Sequence, residues 1–292
     1  MMDTKILMDQ ILAGIGYLLL APVLGGLLAG FDRIVTARMQ SRKGPPLFQP
    51  FYDLFKLCAK RGSVVNQFQN LYMLCFLIFI IITGLIFFTG GNLLLTIFAL
   101  TVASVFLILG AFSTNSPYST IGADRELLQM MAYEPMMLIT AMGMYLVTRS
   151  FNVRDIIADP FPLVYSLPFI FIGFVFILTI KLRKSPFDLS SSHHGHQEIV
   201  KGITTEFSGP ALALFEIAHW YENILLLGFV YLFFAAFNPV IAVFLTIATY
   251  IFEIFVDNAC ARLTWRFTVK SSWLVAGVLG GVNLLAAAYL LL

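Results

Sequence analysis

Eight stretches of the chain are apolar for long enough to cross a bilayer, since a spanning helix needs about 20 mostly apolar residues. They cover 7–31, 68–90, 93–113, 129–148, 163–182, 210–236, 239–258 and 271–291. Only Gly90-Gly91-Asn92 separates the second from the third, which predicts a tight helical hairpin, and Phe237-Asn238-Pro239 breaks the sixth from the seventh in the same manner. Gly44-Pro45-Pro46 forces a bend after the first span. From Pro50 onward Phe51, Leu54, Phe55 and Cys58 recur at three- and four-residue spacing, with Asp53, Lys56 and Lys60 elsewhere around the helix. This pattern suits a short helix lying in the membrane interface, and a basic anchor against anionic lipid explains it equally well. The expected fold is an all-α membrane protein of about eight transmembrane helices plus that interfacial helix, forming one polytopic domain over 1–292. The first span is too long for a cleaved signal peptide, and Asp32 and Arg33 follow it without a small-residue cleavage site.

Composition narrows the class. Of 292 residues 59% are hydrophobic and 12% charged, and the mean hydropathy is +0.88. A soluble chain carries roughly 25% charged residues, so a soluble domain is excluded and a disordered one more so. Cys58, Cys75 and Cys260 stand far apart, which argues against a disulfide framework and against a zinc or iron–sulfur centre held by this chain alone. The net charge of +2 says little; its distribution says more. With the N-terminus outside, all Lys and Arg except Lys5, Arg149 and Arg154 fall on inner loops, and both termini face out.

Acidic and imidazole side chains inside apolar sequence are the candidate chemistry, because a carboxylate at a helix centre costs about 2.5–3.5 kcal/mol on insertion scales. Glu134 precedes Pro135 in the fourth span, where it either functions or bonds to a helix opened by the proline. Asp124-Arg125-Glu126 sits where the chain turns back toward the membrane. In the sixth span Glu216, His219 and Asn223 share one face while Glu222 points elsewhere; in the seventh, Tyr250, Glu253 and Asp257 repeat the spacing. Such faces relay protons if they hold water, since burial raises carboxylate pKa values. Alternatively Glu253 and Asp257 pair with Arg262 or Arg266 at the boundary. The inner loop KLRKSPFDLSSSHHGHQEIVKGITTEFSG holds His193, His194 and His196 beside Glu198. Their spacing fits no standard zinc motif, so a docking surface or proton relay is favoured over a metal site.

Three separated blocks carry a resemblance. Arg42, Gly44, Pro45, Gln49, Pro50, Asp53, Lys56 and Leu57 form the first. Ser116, Gly122, Arg125, Glu126, Tyr133 and Glu134 form the second. Pro186, Phe187, Asp188, Leu189, Glu198, Gly202, Glu206, Phe207, Ser208 and Gly209 form the third. In this order they resemble the quinone-site membrane subunit of respiratory complex I, subunit 1 or H, and its hydrogenase relatives. Complex I members carry an acidic run after the Pro-Phe-Asp-Leu motif and a Glu before an aromatic in the sixth helix. Here Ser190 to Gln197 and His219-Trp220 stand instead. The stretch is similar to the B subunit of energy-converting (Ech-type) [NiFe] hydrogenases.

That resemblance implies a non-catalytic membrane subunit in a prokaryotic cytoplasmic membrane, coupling ferredoxin-linked H₂ chemistry to H⁺ or Na⁺ movement without a quinone. No cofactor is expected in this chain. The nickel–iron centre and the clusters are expected on hydrogenase large and small subunits and a ferredoxin-like iron–sulfur subunit, with an antiporter-like membrane partner, surrounding lipid, and no nucleic acid. Arg38, Arg42, Asp53, Lys56, Arg125, Glu126, Asp188, His193, His194, His196 and Glu198 are expected to dock and couple the partners. Glu134, Glu206, Glu216, His219, Glu253 and Asp257 are expected to form the ion path. A complex I-type or formate hydrogenlyase subunit with a quinone site, or a stand-alone transporter, are the alternatives.

Overall fold

The computed structural model describes residues 2–62, 66–187, 190 and 201–291. Seven helices among them are long and apolar enough to cross a membrane, and a shorter apolar helix occupies the remaining predicted stretch. In chain order the elements are α1 (Met2–Met39), α2 (Gln49–Ala59), α3 (Gln67–Phe88), α4 (Leu93–Phe112), α5 (Pro117–Thr148) and α6 (Val153–Ala158). There follow α7 (Leu163–Ser166), α8 (Pro168–Lys181), α9 (Pro210–Phe234), α10 (Pro239–Ala259), α11 (Trp265–Val275) and α12 (Gly281–Leu291). A π-helical turn at Ala276–Gly280 joins the last two.

Local chemistry sets the boundaries. Asn side chains cap three helices: Asn66 accepts from Phe68 N–H, Asn92 from Leu94 and Leu95 N–H, and Asn238 from Val240 N–H, each satisfying orphan donors of a first turn. Gly90, at φ +81°, makes the α3–α4 hairpin turn. Two helices run further than hydrophobicity alone predicts. α1 continues to Met39 and carries Asp32, Arg33 and Arg38 on its last turns. α5 starts at Pro117, so Asp124-Arg125-Glu126 lies within a helix and not in a turning loop. The polar residues of that extension are not all solvated: Ser119, Glu126 and Gln129 are buried. Pro135 lies inside α5 without ending it.

The bundle centres on α9, in which 67% of the spanning window is buried against 28% for α1 and α10. Apolar residues on most of its circumference suit an interior helix, and Glu216, His219 and Glu222 point into the bundle or a cavity under α2. α8 has only 14 residues, about 21 Å against a hydrocarbon thickness of about 30 Å. It is too short to cross the hydrocarbon without α7 before it, and the first amides after the break between the two need a partner. Asn283 of α12 supplies it: Phe169 and Ile170 N–H donate to Asn283 Oδ1 at 3.0 and 3.1 Å, and Asn283 Nδ2 donates to Ser166 C=O at 3.2 Å.

Candidate functional site

α8 ends in three cations, Lys181, Arg183 and Lys184, and each meets a carboxylate from a different helix. Lys181 Nζ donates to Glu222 Oε1 of α9 at 2.8 Å, with both side chains only 5% and 6% exposed. The ammonium also lies 4.4 Å from the Tyr133 ring centre. Arg183 Nη2 donates to Glu126 Oε1 of α5 at 3.0 Å, and Ser190 Oγ hydrogen-bonds the other Glu126 oxygen. Lys184 Nζ pairs with Asp32 of α1 and lies 3.9 Å from Asp257 of α10, whose Oδ1 accepts Ser185 N–H at 2.7 Å.

The helix end that presents these groups is a Schellman turn. Lys184 N–H donates to Thr179 C=O and Arg183 N–H to Ile180 C=O, with Arg183 in the left-handed region at φ 55°. Glycine is the ordinary occupant of that position. An arginine there costs about 1 kcal/mol or more of backbone strain, offset by its ion pair with Glu126. Four helices are thus tied to one chain reversal.

Beside the paired groups stand unpaired ones. Glu253 of α10 has no exposed surface, and neither carboxyl oxygen makes a hydrogen bond of ordinary geometry; the Thr179 hydroxyl and Lys184 are its polar neighbours. Glu134 Oε1 is buried without a hydrogen bond. The His219 ring stacks on Phe215 at 4.9 Å, and Nδ1 lies 3.3 Å from Glu222 Oε2. Such buried polar atoms call for a hydrogen-bond partner such as water, whereas the paired groups satisfy one another.

A second polar feature lies under α2. Arg33 donates to Asp53 Oδ2 at 2.7 Å and Gln49 to Asp53 Oδ1 at 3.0 Å. Partial burial acts to raise the Asp53 pKa, and the bonds from Arg33 and Gln49 outweigh it, holding the carboxyl below its usual value. Asp53, Lys56, Glu216 and Trp220 line a cavity of about 240 Å³ between α1, α2 and α9. The Phe51 ring of α2 packs against Trp220 of α9, with ring centres 5.2 Å apart.

The residues singled out from sequence are therefore distributed over two regions. Glu253 and Asp257 stand at the α8 reversal and His219 beside Glu222; Glu216 faces the α2 cavity. Among the described residues no hydrogen bond or ion pair joins Glu134, Glu206 and Glu216; the Glu206 backbone carbonyl accepts from Gln69 Nε2 at 3.0 Å. Arg38 and Arg42 are exposed at the end of α1 and beyond it, Arg42 bonding Gln40, and Arg125 is half-buried on α5. Asp188, His193, His194, His196 and Glu198 lie outside the described residues. No group of three metal-ligating side chains occurs among the described residues.

Sequence reasoning set Glu222 aside as pointing elsewhere, but only Glu216 lies on another face: Glu222 follows His219 by three residues, shares its face and lies 3.3 Å from its Nδ1. A second signal was Lys181 at the end of an apolar span: a cation there needs a buried counter-charge, and Glu222 is an acidic residue within the largely apolar α9.

The second and third sequence blocks meet in space, and the third also reaches the segment that follows α2. A Cβ on Gly122 would collide with the backbone of Gly202 and Ile203, and one on Gly209 would press on Lys60 C=O and Gly62 at 3.1–3.2 Å.

The family model described as NADH dehydrogenase matches residues 12–288. Hydrogenase-4 component C of Escherichia coli (strain K12) is 29% identical over 231 residues, covering 73% of this chain and 70% of that protein. Formate hydrogenlyase subunit 4 of the same strain is 27% identical over 298 residues, covering 89% and 94%. The NADH-quinone oxidoreductase H subunit of Bacillus cytotoxicus is 30% identical over 258 residues, covering 78% and 75%. In fold, the chain matches one from the membrane-bound sulfane sulfur reductase, an archaeal respiratory membrane complex, with a TM-score of 0.85 over 95% of this chain and 99% of the other at 22% identity.

Proposed function

This chain belongs to the NADH dehydrogenase family of complex I subunit 1/H, and from that premise we propose that it is the coupling membrane subunit of an energy-converting [NiFe] hydrogenase. It anchors the peripheral hydrogenase large and small subunits and a ferredoxin-like iron–sulfur subunit, and it passes their redox events to ion movement with an antiporter-like partner. Two of its relatives are named as hydrogenase-4 and formate hydrogenlyase components, and Ser190 to Gln197 replaces the acidic run of quinone-reducing members. The scattered cysteines fit redox centres held elsewhere.

The observation that carries the coupling role is the reversal after α8. Its three cations hold carboxylates of α1, α5, α9 and α10, so a displacement of the loop that follows shifts charge in all four helices together. Moving one charge against the membrane potential requires about 2.3 kcal/mol per 100 mV, within reach of breaking one buried pair. On this reading Glu253, Glu134 and His219 exchange the proton, a role their burial without ordinary hydrogen bonds supports. The loop-bearing end faces the cytoplasm, in keeping with its excess of Lys and Arg. Affinity purification of the tagged chain from its own membranes tests the assignment: nickel, iron and H₂-evolving activity copurify if it holds, and their absence overturns it.

A second reading, a complex I-type subunit with a quinone site, is favoured by the cavity under α2. Under that reading a quinone-site inhibitor stops electron transfer; under the hydrogenase reading H₂ turnover with reduced ferredoxin is unaffected.

A further inference from the structure

Away from the loop-bearing end, two cavities share Phe88, Gly90 and Ile157 in their walls. The first, about 240 Å³, opens between α1 and α6 and is edged by Asp9, Gln10 and Arg154. The second, about 340 Å³, is apolar; Phe87, Leu227, Tyr231 and Leu232 line it along α9. The pair forms one amphipathic groove, with charge at its mouth and hydrocarbon below.

The mouth is fixed in place. Leu93 N–H donates to Phe151 C=O and Val153 N–H to Gly91 C=O, at 2.8 and 2.9 Å, clamping α6 over the α3–α4 turn. Gly90 makes room for this contact, since a Cβ there would lie 2.9 Å from Arg154 Cβ. The neighbouring acid, Asp155, is engaged along its own loop by Ser150 and Asn152 at 2.6 and 3.1 Å. Arg154 and Asp9 thus present opposite charges at the level of the helix ends, where lipid headgroups lie.

We propose that this groove binds one zwitterionic aminophospholipid, with its phosphate on Arg154, its ammonium on Asp9 and an acyl chain along Phe87, Tyr231 and Leu232. A guanidinium suits phosphate geometry. A carboxylate beside it selects a headgroup carrying an amine over an anionic one, which it repels. An acyl chain accounts for the apolar extension, whose walls are aromatic and aliphatic. A lipid held here braces α1 and α9 against α6, at the end opposite the charge network.

The test is native mass spectrometry of the full chain, stripped of lipid and titrated with phosphatidylethanolamine or phosphatidylglycerol. One phosphatidylethanolamine should bind per chain, with roughly tenfold preference over phosphatidylglycerol, the scale of one charge-assisted hydrogen bond. Asp9→Asn should abolish the preference, and Arg154→Gln should weaken both lipids. Ile157→Trp, on the 42%-exposed rim, should block retention while leaving the thermal melt of the stripped protein unchanged. Equal binding of the two lipids by the wild type would overturn the proposal. So would an undiminished preference in Asp9→Asn, or a photocrosslinker at position 157 that labels a protein helix instead of lipid in the assembled complex.

Discussion

Lys181 and Glu222 show why single residues decide so much in this chain. Both are almost fully buried and each satisfies the other. Removing one partner leaves the other charge stranded, a loss of about 3–5 kcal/mol, whereas replacing both by apolar groups is often near neutral. Lys181→Met should therefore lower the unfolding free energy by that amount, and Lys181→Met combined with Glu222→Leu should recover most of it. A double-mutant cycle by denaturant unfolding in detergent checks this; equal losses in single and double variants would contradict the pairing. Asp53 gives a pH prediction of opposite character, because it is part exposed. Its pKa is lowered in the fold, so its contribution to docking α2 is complete above the ordinary aspartate value of about 3.9 and fades as pH falls through the lowered one. Trp220, packed on Phe51, reports this docking once Trp265 and Trp273 are replaced by Phe. Its fluorescence should hold steady from neutral pH down to about pH 4 and change below, and Asp53→Asn should remove that acid step.

At the scale of elements, α8 is the piece that positions the network, and it depends on one amide. Asn283→Leu deprives two N–H groups and a carbonyl of partners inside the membrane, a cost on the order of 2–4 kcal/mol. A melting temperature unchanged in that variant would contradict the capping role. The same element shows what was legible in the sequence. The hairpins at Gly90 and Asn238 and the amphipathic α2 follow from spacing and turn chemistry, which act over a few residues. The early start of α5 at Pro117 was not legible, because Ser119 and Glu126 look like loop residues until Arg183 and Ser190 are seen bonded to Glu126 and the Gly202–Thr204 turn packed on α5. Capping of α8 by Asn283 was equally hidden, since it joins residues more than a hundred positions apart. The glycines of the family resemblance gain a physical reason: Gly122 is where the second block touches the third, and Gly209 is where the third packs on the end of α2. Gly122→Ala should push the Gly202–Thr204 turn off α5 and reduce assembly with peripheral subunits, measured as copurified iron.

At the scale of the whole molecule, charge is segregated. One end holds the α8 reversal, the α2 cavity and the exposed arginines at the end of α1; the other is closed by short turns and α6. Between them lies apolar packing, interrupted by Glu253 and Glu134. Sequence spacing placed Tyr250, Glu253 and Asp257 on one face, and the burial of the first two agrees with it. It could not reveal that the counter-ion of Asp257 comes from the α8 reversal, because pairing across helices leaves no periodic trace. Under the proposed function, buried carboxylates tied to this reversal couple redox turnover to ion transfer. The most direct test records ion uptake and H₂ turnover together in membrane vesicles carrying Glu253→Gln, which keeps size and polarity but cannot ionise. The account predicts an assembled complex that turns over H₂ with ion uptake lost or cut at least severalfold; an unchanged ratio of ions to H₂ would contradict it.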